Sequence, residues 1–222
     1  MVRSDLLEKA LYIQFPLSRN VYKEYNVDGK DIIRLPLPSD GMMYNGWHLN
    51  SNHFVPLYHR EYVLPLLDKL LCLGVDYNDF VLIDRRSGKF DISLYVPKSE
   101  YVFEAYGFTR GEHIDGLCFS DLISNSSKGG DITDYHRQFI YAHECSRIIN
   151  KSVNNGRRLF ISGDSQLIPD IAFLCCFFDE VWYFDNRRGL VLSDRWKDIE
   201  FTDVLIELNC NPLSRYIGDN LR

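Results

Sequence analysis

The chain has 222 residues, with 25 Lys+Arg against 31 Asp+Glu for a net charge of −6, and 45% of its residues are hydrophobic. That composition supports one sizeable buried core and excludes a disordered tail. The acidic balance excludes a protein built around neutralising a phosphate backbone, so no nucleic-acid partner is expected.

The N-terminal stretch Met1-Val2-Arg3-Ser4-Asp5-Leu6 has no uninterrupted apolar core or small-residue cleavage site of a secretion signal. A cytoplasmic location is therefore expected. Residues 6–13 are a short helical candidate, and Pro16, Pro36, Pro38 and the 41–52 stretch then break regular structure. Residues 18–56 read as hairpins and loops, which makes 1–56 an irregular extension packed on a single domain covering 1–222.

Between 57 and 73 the apolar residues Leu57, Tyr58, Tyr62, Leu66, Leu67, Leu70, Leu71 and Leu73 recur at three- and four-residue steps, with Gly74 as the stop. This spacing predicts a helix with one apolar face. Residues 80–83 and 92–96 have strand length and β-branched content, and Pro97 ends the second run. Looser helical patterns at 99–106 and 115–124 lead into the loop Ser124-Asn125-Ser126-Ser127-Lys128-Gly129-Gly130.

From there strand and helix alternate. The pattern predicts a helix over 136–154, a strand at 158–162, a helix over 166–178, strands at 181–184 and 204–208, and a last helix at 212–217. Strands that are apolar almost throughout are those of a parallel sheet covered on both faces. The expected fold is α/β: a parallel, doubly wound, flavodoxin-like sheet with helices on both faces and an irregular N-terminal region. The longest apolar run, 171–178, is far short of the about eighteen residues of a membrane span.

Ligands of such a sheet bind beyond the carboxyl ends of the strands. There the run Arg158-Leu159-Phe160-Ile161-Ser162 meets Gly163-Asp164-Ser165 just before the helix expected at Gln166. A serine at a strand-to-helix turn presents its hydroxyl beside free backbone amides, the arrangement a nucleophile and oxyanion hole need. Helix capping by Asp164 or Ser165 is the alternative. A base is available upstream in Asp134-Tyr135-His136, where the carboxylate could orient the imidazole that takes the serine proton. A helix cap is again the alternative there.

In motif order the chain resembles the SGNH/GDSL superfamily of esterases and acyltransferases, in the branch of the alginate O-acetylation proteins. Gly163-Asp164-Ser165 is similar to that family's nucleophile block, and Asp134-Tyr135-His136 to the first part of its Asp-x-His-Trp motif, with Arg137 where Trp is usual. The resemblance spans about residues 90–210. It implies an SGNH-type fold with Ser165, His136 and Asp134 as catalytic triad. The backbone amides of Ser165 and Gln166, with Asn209 as a candidate side chain, would form the oxyanion hole.

Substrate-binding candidates are Tyr135 and Arg137 beside the histidine, Trp47 in the aromatic segment 43–48, and Arg187 just after a predicted strand. Aromatic rings pack against the C–H faces of sugars, and arginines hold anions by forked hydrogen bonds. The expected activity is transfer of an acyl group, as O-acetyltransferase or O-acetylesterase, to a carbohydrate acceptor. No bound cofactor is expected, and acetyl-CoA is a candidate donor for a cytosolic member. A carbohydrate-binding or assembly module that keeps the fold without turnover is the second reading.

His48, His53 and His59 fall within a dozen residues, but their spacing matches no zinc pattern and no metal site is expected. The six cysteines, Cys72, Cys118, Cys145, Cys175, Cys176 and Cys210, contain no CxxC pair and are expected to be free thiols in apolar segments.

Overall fold

The structure is a computed structural model that describes residues 4–16, 22, 24–39, 56–87, 90–108, 112–118, 145–164, 166–185 and 198–208. The chain opens with helix α1 (Ser4–Lys9) and strand β1 (Leu11–Gln14), followed by β2 (Ile32–Arg34). Helix α2 (Pro56–Tyr58) runs through a wide π turn (His59–Val63) into α3 (Leu64–Leu71). Hairpin strands β3 (Phe80–Ser87) and β4 (Phe90–Pro97) come next, then β5 (Val102–Gly107), β6 (Glu112–Cys118), β7 (Cys145–Asn150) and β8 (Arg158–Gly163). Helix α4 (Ile168–Leu174), β9 (Glu180–Asp185) and β10 (Asp203–Glu207) complete the described elements.

Eight of these strands form one sheet in the order β2-β1-β10-β8-β9-β7-β5-β6, and β3 pairs with β4 in a separate two-stranded sheet. From β2 to β9 all neighbours are parallel, whereas the pairs β9–β7, β7–β5 and β5–β6 are antiparallel. The expected parallel, doubly wound, flavodoxin-like sheet is therefore corrected to a mixed sheet, with few and short helices among the described residues. One face carries α2, α3 and α4; the other is covered by the six-residue α1 together with non-helical residues such as Val27 and Phe201.

The correction has a physical origin in three strands read as helix. In β5 the buried Phe103 and Ala105 alternate with the half-buried Val102, Glu104 and Tyr106, and in β7 the buried Ser146, Ile148 and Asn150 alternate with Arg147 and Ile149. That two-residue period marks antiparallel strands with one face on the core. It outweighs the helical preference of Glu104 and Ala105. In β6 the register slips at Gly116, whose φ of +75° lets an extra residue bulge opposite the Phe103/Glu104 step.

The 57–73 expectation corresponds to α2 through α3, with Tyr58, Val63, Leu64, Leu67 and Leu71 buried at helical spacing. Its π turn precedes Pro65, which has no amide hydrogen and whose ring would crowd the carbonyl four residues back; here the Leu64 amide reaches the His59 carbonyl instead. Strands β8, β9 and β10 and helix α4 lie within or beside their predicted ranges, because their apolar runs are buried on both faces. Residues 6–13 divide into the end of α1 and the start of β1, and β1 and β2 add two strands to the main sheet. The expected helix at 212–217 lies outside the described residues.

Arg157, just before β8, ties α3, β10 and Phe178 together. Its guanidinium donates to Asp203 through Nη2 at 2.7 Å and Nε at 3.2 Å, to the Leu71 carbonyl at 2.7 Å, and lies 4.6 Å from the Phe178 ring centroid. A lysine cannot reproduce that fork or stack flat on the ring. Arg157→Lys is expected to lower stability by about 1–2 kcal/mol, read as a lower urea midpoint at unchanged slope; an unchanged midpoint would show the clamp to be idle.

Among the described residues, Cys175 and Cys176 are buried free thiols, and burial pushes both well up, so they are unreactive. Cys72 is exposed and free. No described helix is long and apolar enough to cross a membrane.

Candidate functional site

The parallel strands β1, β10, β8 and β9 end on a common edge at Gln14, Glu207, Gly163 and Asp185. At its centre the chain leaves β8 and turns through 163–166 toward α4. Ser165 itself lies outside the described residues, but both of its neighbours are described. The Asp164 amide donates to Glu207 Oε2 at 2.8 Å, and the Gln166 amide donates to Asp164 Oδ1 at 2.7 Å. From β9 the Tyr183 hydroxyl lies 3.2 Å from the Gly163 carbonyl and 3.3 Å from that of Asp164.

Gly163 is required by a close approach. A Cβ at this position would stand 2.9 Å from Glu207 Oε2 and 3.3 Å from Leu167 Cδ2. The Glu207 oxygen is held by the Asp164 amide and fully buried, so it has nowhere to retreat. Gly163→Ala is expected to cost about 1–3 kcal/mol through overpacking, seen as a lower thermal midpoint; a midpoint equal to wild type would mean that Glu207 yields freely.

A second buried pair lies next to the turn. His59 Nδ1, from the π turn, and Asp170 Oδ2, from the first turn of α4, are 2.8 Å apart, and both side chains are more than nine-tenths buried. Burial raises the Asp170 carboxyl from its ordinary value, opposed by the charge and hydrogen bond of His59. The Phe15 ring packs tilted, and the Tyr58 ring edge-on, against the imidazole. The pair therefore docks α4, and with it the end of the 163–166 turn, onto the long helix.

On the antiparallel side of the sheet, residues of one rung form a continuous stack. Phe108 lies on Trp182, the Arg147 guanidinium lies 5.4 Å from the Trp182 ring and 5.7 Å from Tyr106, and Tyr106 stacks on His113 at 4.4 Å. Glu104 accepts from the Tyr106 hydroxyl and from His113 Nε2, which, with Lys151, holds its carboxyl down at about 2. Glu180 binds both Arg147 and the Trp182 indole.

Of the sequence-derived site residues, only Gln166 is among the described ones. Its backbone amide, expected to serve the oxyanion hole, is engaged by Asp164. Ser165, His136, Asp134, Asn209, Arg137, Tyr135, Trp47 and Arg187 lie outside the described residues. Sequence reasoning passed over Glu207, Asp170, His59 and Tyr183 as parts of this edge. The available signal was an acid set within an apolar run, as Asp170 and Glu207 both are, since such a group is buried only with partners. Among the described residues no group of three or more His, Cys, Asp or Glu could hold a metal.

No family model matches the sequence, and no curated protein matches it. Solved structures are similar in fold. A DHHW family protein from Eubacterium siraeum DSM 15702 is 14% identical with a TM-score of 0.58, covering 98% of this chain and 84% of that one. PatB1 of Bacillus cereus is 11% identical with a TM-score of 0.58, covering 95% and 85%. A structure of PatB1 with a sulfonyl adduct has a TM-score of 0.56 at the same identity, covering 95% and 86%. Such identities speak for shared architecture alone. The resemblance to the SGNH/GDSL superfamily is corrected by these findings: no family model or curated protein carries it, and the similar structures are a DHHW family protein and PatB1.

Proposed function

We propose that the chain is an acyl-transfer enzyme acting on a carbohydrate, with Ser165 as nucleophile, His136 as general base and Asp134 as the carboxylate that orients the imidazole. The observation that carries the reading is the braced 163–166 turn at the carboxyl edge of β8, with Ser165 between two residues held by hydrogen bonds. The fold likeness to PatB1 with a sulfonyl adduct supports it, because a sulfonyl electrophile is captured by a nucleophilic side chain.

In this reading the Ser165 hydroxyl attacks the acyl carbonyl as its proton passes to His136. The bond to the donor's leaving group breaks, and that group departs with the proton. A sugar hydroxyl then attacks the acyl-serine, loses its proton to His136 and leaves as the ester, while Ser165 regains a proton. Acetyl-CoA is a suitable donor, its leaving group being a thiol. Tyr135, Arg137, Trp47 and Arg187 are candidates to hold the acceptor.

Intact mass after incubation with an activated acetyl ester tests the proposal, followed by addition of an oligosaccharide. A single acetyl adduct discharged faster by the sugar than by water supports transfer; an adduct discharged equally by water alone supports an esterase. One observation favours a carbohydrate-binding module without turnover: the Gln166 amide is already taken by Asp164. The absence of any adduct or ester turnover would select that module.

A further inference from the structure

Glu207 closes an apolar strand, and its side chain is completely enclosed. A carboxyl group removed from water must be neutral or closely paired. The titratable groups around it are mostly acids. Asp164 meets it from the turn and Asp170 from α4, where His59 of the π turn holds Asp170; Asp185 is level with Gly163 on β9, and Tyr183 sends its hydroxyl to the Gly163 and Asp164 carbonyls. Burial first, and the charge of Asp164 second, push the Glu207 carboxyl well up, against the pull of the Asp164 backbone hydrogen bond.

We propose that Glu207 is a positioning residue for the candidate nucleophile turn, working as a neutral acid. Oε2 accepts the Asp164 amide hydrogen, and Asp164 Oδ1 in turn accepts the Gln166 amide hydrogen. Both residues that flank Ser165 are thereby tied to one buried group. The glycine at 163 is what lets that group sit directly beneath the turn. The catalytic consequence rests on the acyl-transfer reading, whereas the brace itself does not.

The sign of the pH effect follows from proton linkage. A carboxyl whose native value lies above its unfolded value binds its proton more tightly in the folded chain. Its stabilising contribution is complete below the unfolded value and is lost as pH rises toward the native one. Ionised Glu207 would place a charge beside Asp164 in a site closed to water, and the turn they share would be strained. Glutamine keeps the shape and can accept the same amide, and it does not titrate. Leucine keeps the bulk but cannot accept that amide.

The experiment compares wild type, Glu207→Gln and Glu207→Leu in thermal midpoint from about pH 5 to about pH 9, and in the rate of acetylation by an activated ester over the same range. The midpoint of the wild type is expected to fall as pH rises relative to that of Glu207→Gln, with the two curves converging at the acid end. Acetylation by Glu207→Gln should stay near the wild-type rate and lose any alkaline decline due to Glu207, while Glu207→Leu slows by about tenfold or more. Parallel melting curves for wild type and Glu207→Gln would overturn the brace, as would undiminished acetylation in a folded Glu207→Leu. If the wild type itself is never acetylated, the acyl-transfer reading fails, and the melting curves still decide the brace.

Discussion

Ser165→Ala is expected to abolish acetylation of the chain by an activated ester, a loss of about 10³-fold or more, with the thermal midpoint close to wild type. The size follows from covalent catalysis: without the hydroxyl no acyl-enzyme can form, and residual turnover comes only from binding and polarisation. Stability should change little, because Asp164, Gln166, Tyr183 and Glu207 hold the turn by hydrogen bonds that the substitution leaves in place. His136→Ala should lose acetylation to a similar extent, since nucleophile and base act as a unit. Capture of a sulfonyl fluoride gives a second readout, expected in wild type and absent from Ser165→Ala. An adduct that persists without Ser165 would move the nucleophile elsewhere and sink the assignment.

Asp170→Ala is expected to cost about 3–5 kcal/mol, the largest stability effect among the substitutions considered. The carboxyl is 2.8 Å from His59 Nδ1 in a site from which water is excluded, so truncation strands a buried imidazole. Removing one partner of such a pair costs far more than the intact pair contributes. For a chain of this size the loss corresponds to a fall of roughly 10 °C in thermal midpoint. Asp170→Asn, which retains an acceptor oxygen, should lose distinctly less. Equal melting of all three proteins would mean that the pair neither docks α4 nor constrains the turn that leads into it.

Much of the parallel half was legible because its signal is local. The runs Leu159-Phe160-Ile161 and Val181-Trp182-Tyr183-Phe184 are apolar without alternation, as a strand covered on both faces must be. The leucines from 57 to 73 show one buried stripe whatever they pack against. Strands β5, β6 and β7 failed for the opposite reason. Their alternation is short, in β6 it is broken at Gly116, and what decides strand over helix is pairing with residues far along the chain, such as Glu104 with Ile149. Both buried acids were visible as letters, but Asp170 and Glu207 acquire meaning only from His59, more than a hundred residues from Asp170, and from Asp164, some forty residues from Glu207.

By itself the sequence determined a folded, acidic chain with strands at the positions of β8, β9 and β10, a long amphipathic helix, and a Gly-Asp-Ser turn leaving the first of those strands. Each of these follows from periodicity and composition within a few neighbouring residues. Only the tertiary structure decided that the sheet is mixed, that Gly163 is a glycine because a buried carboxyl lies 2.9 Å from where its Cβ would stand, and that the Gln166 amide is held by Asp164. Those features arise between segments distant in sequence. Strand direction, enclosure from water and the protonation of a buried acid depend on what the rest of the chain brings alongside.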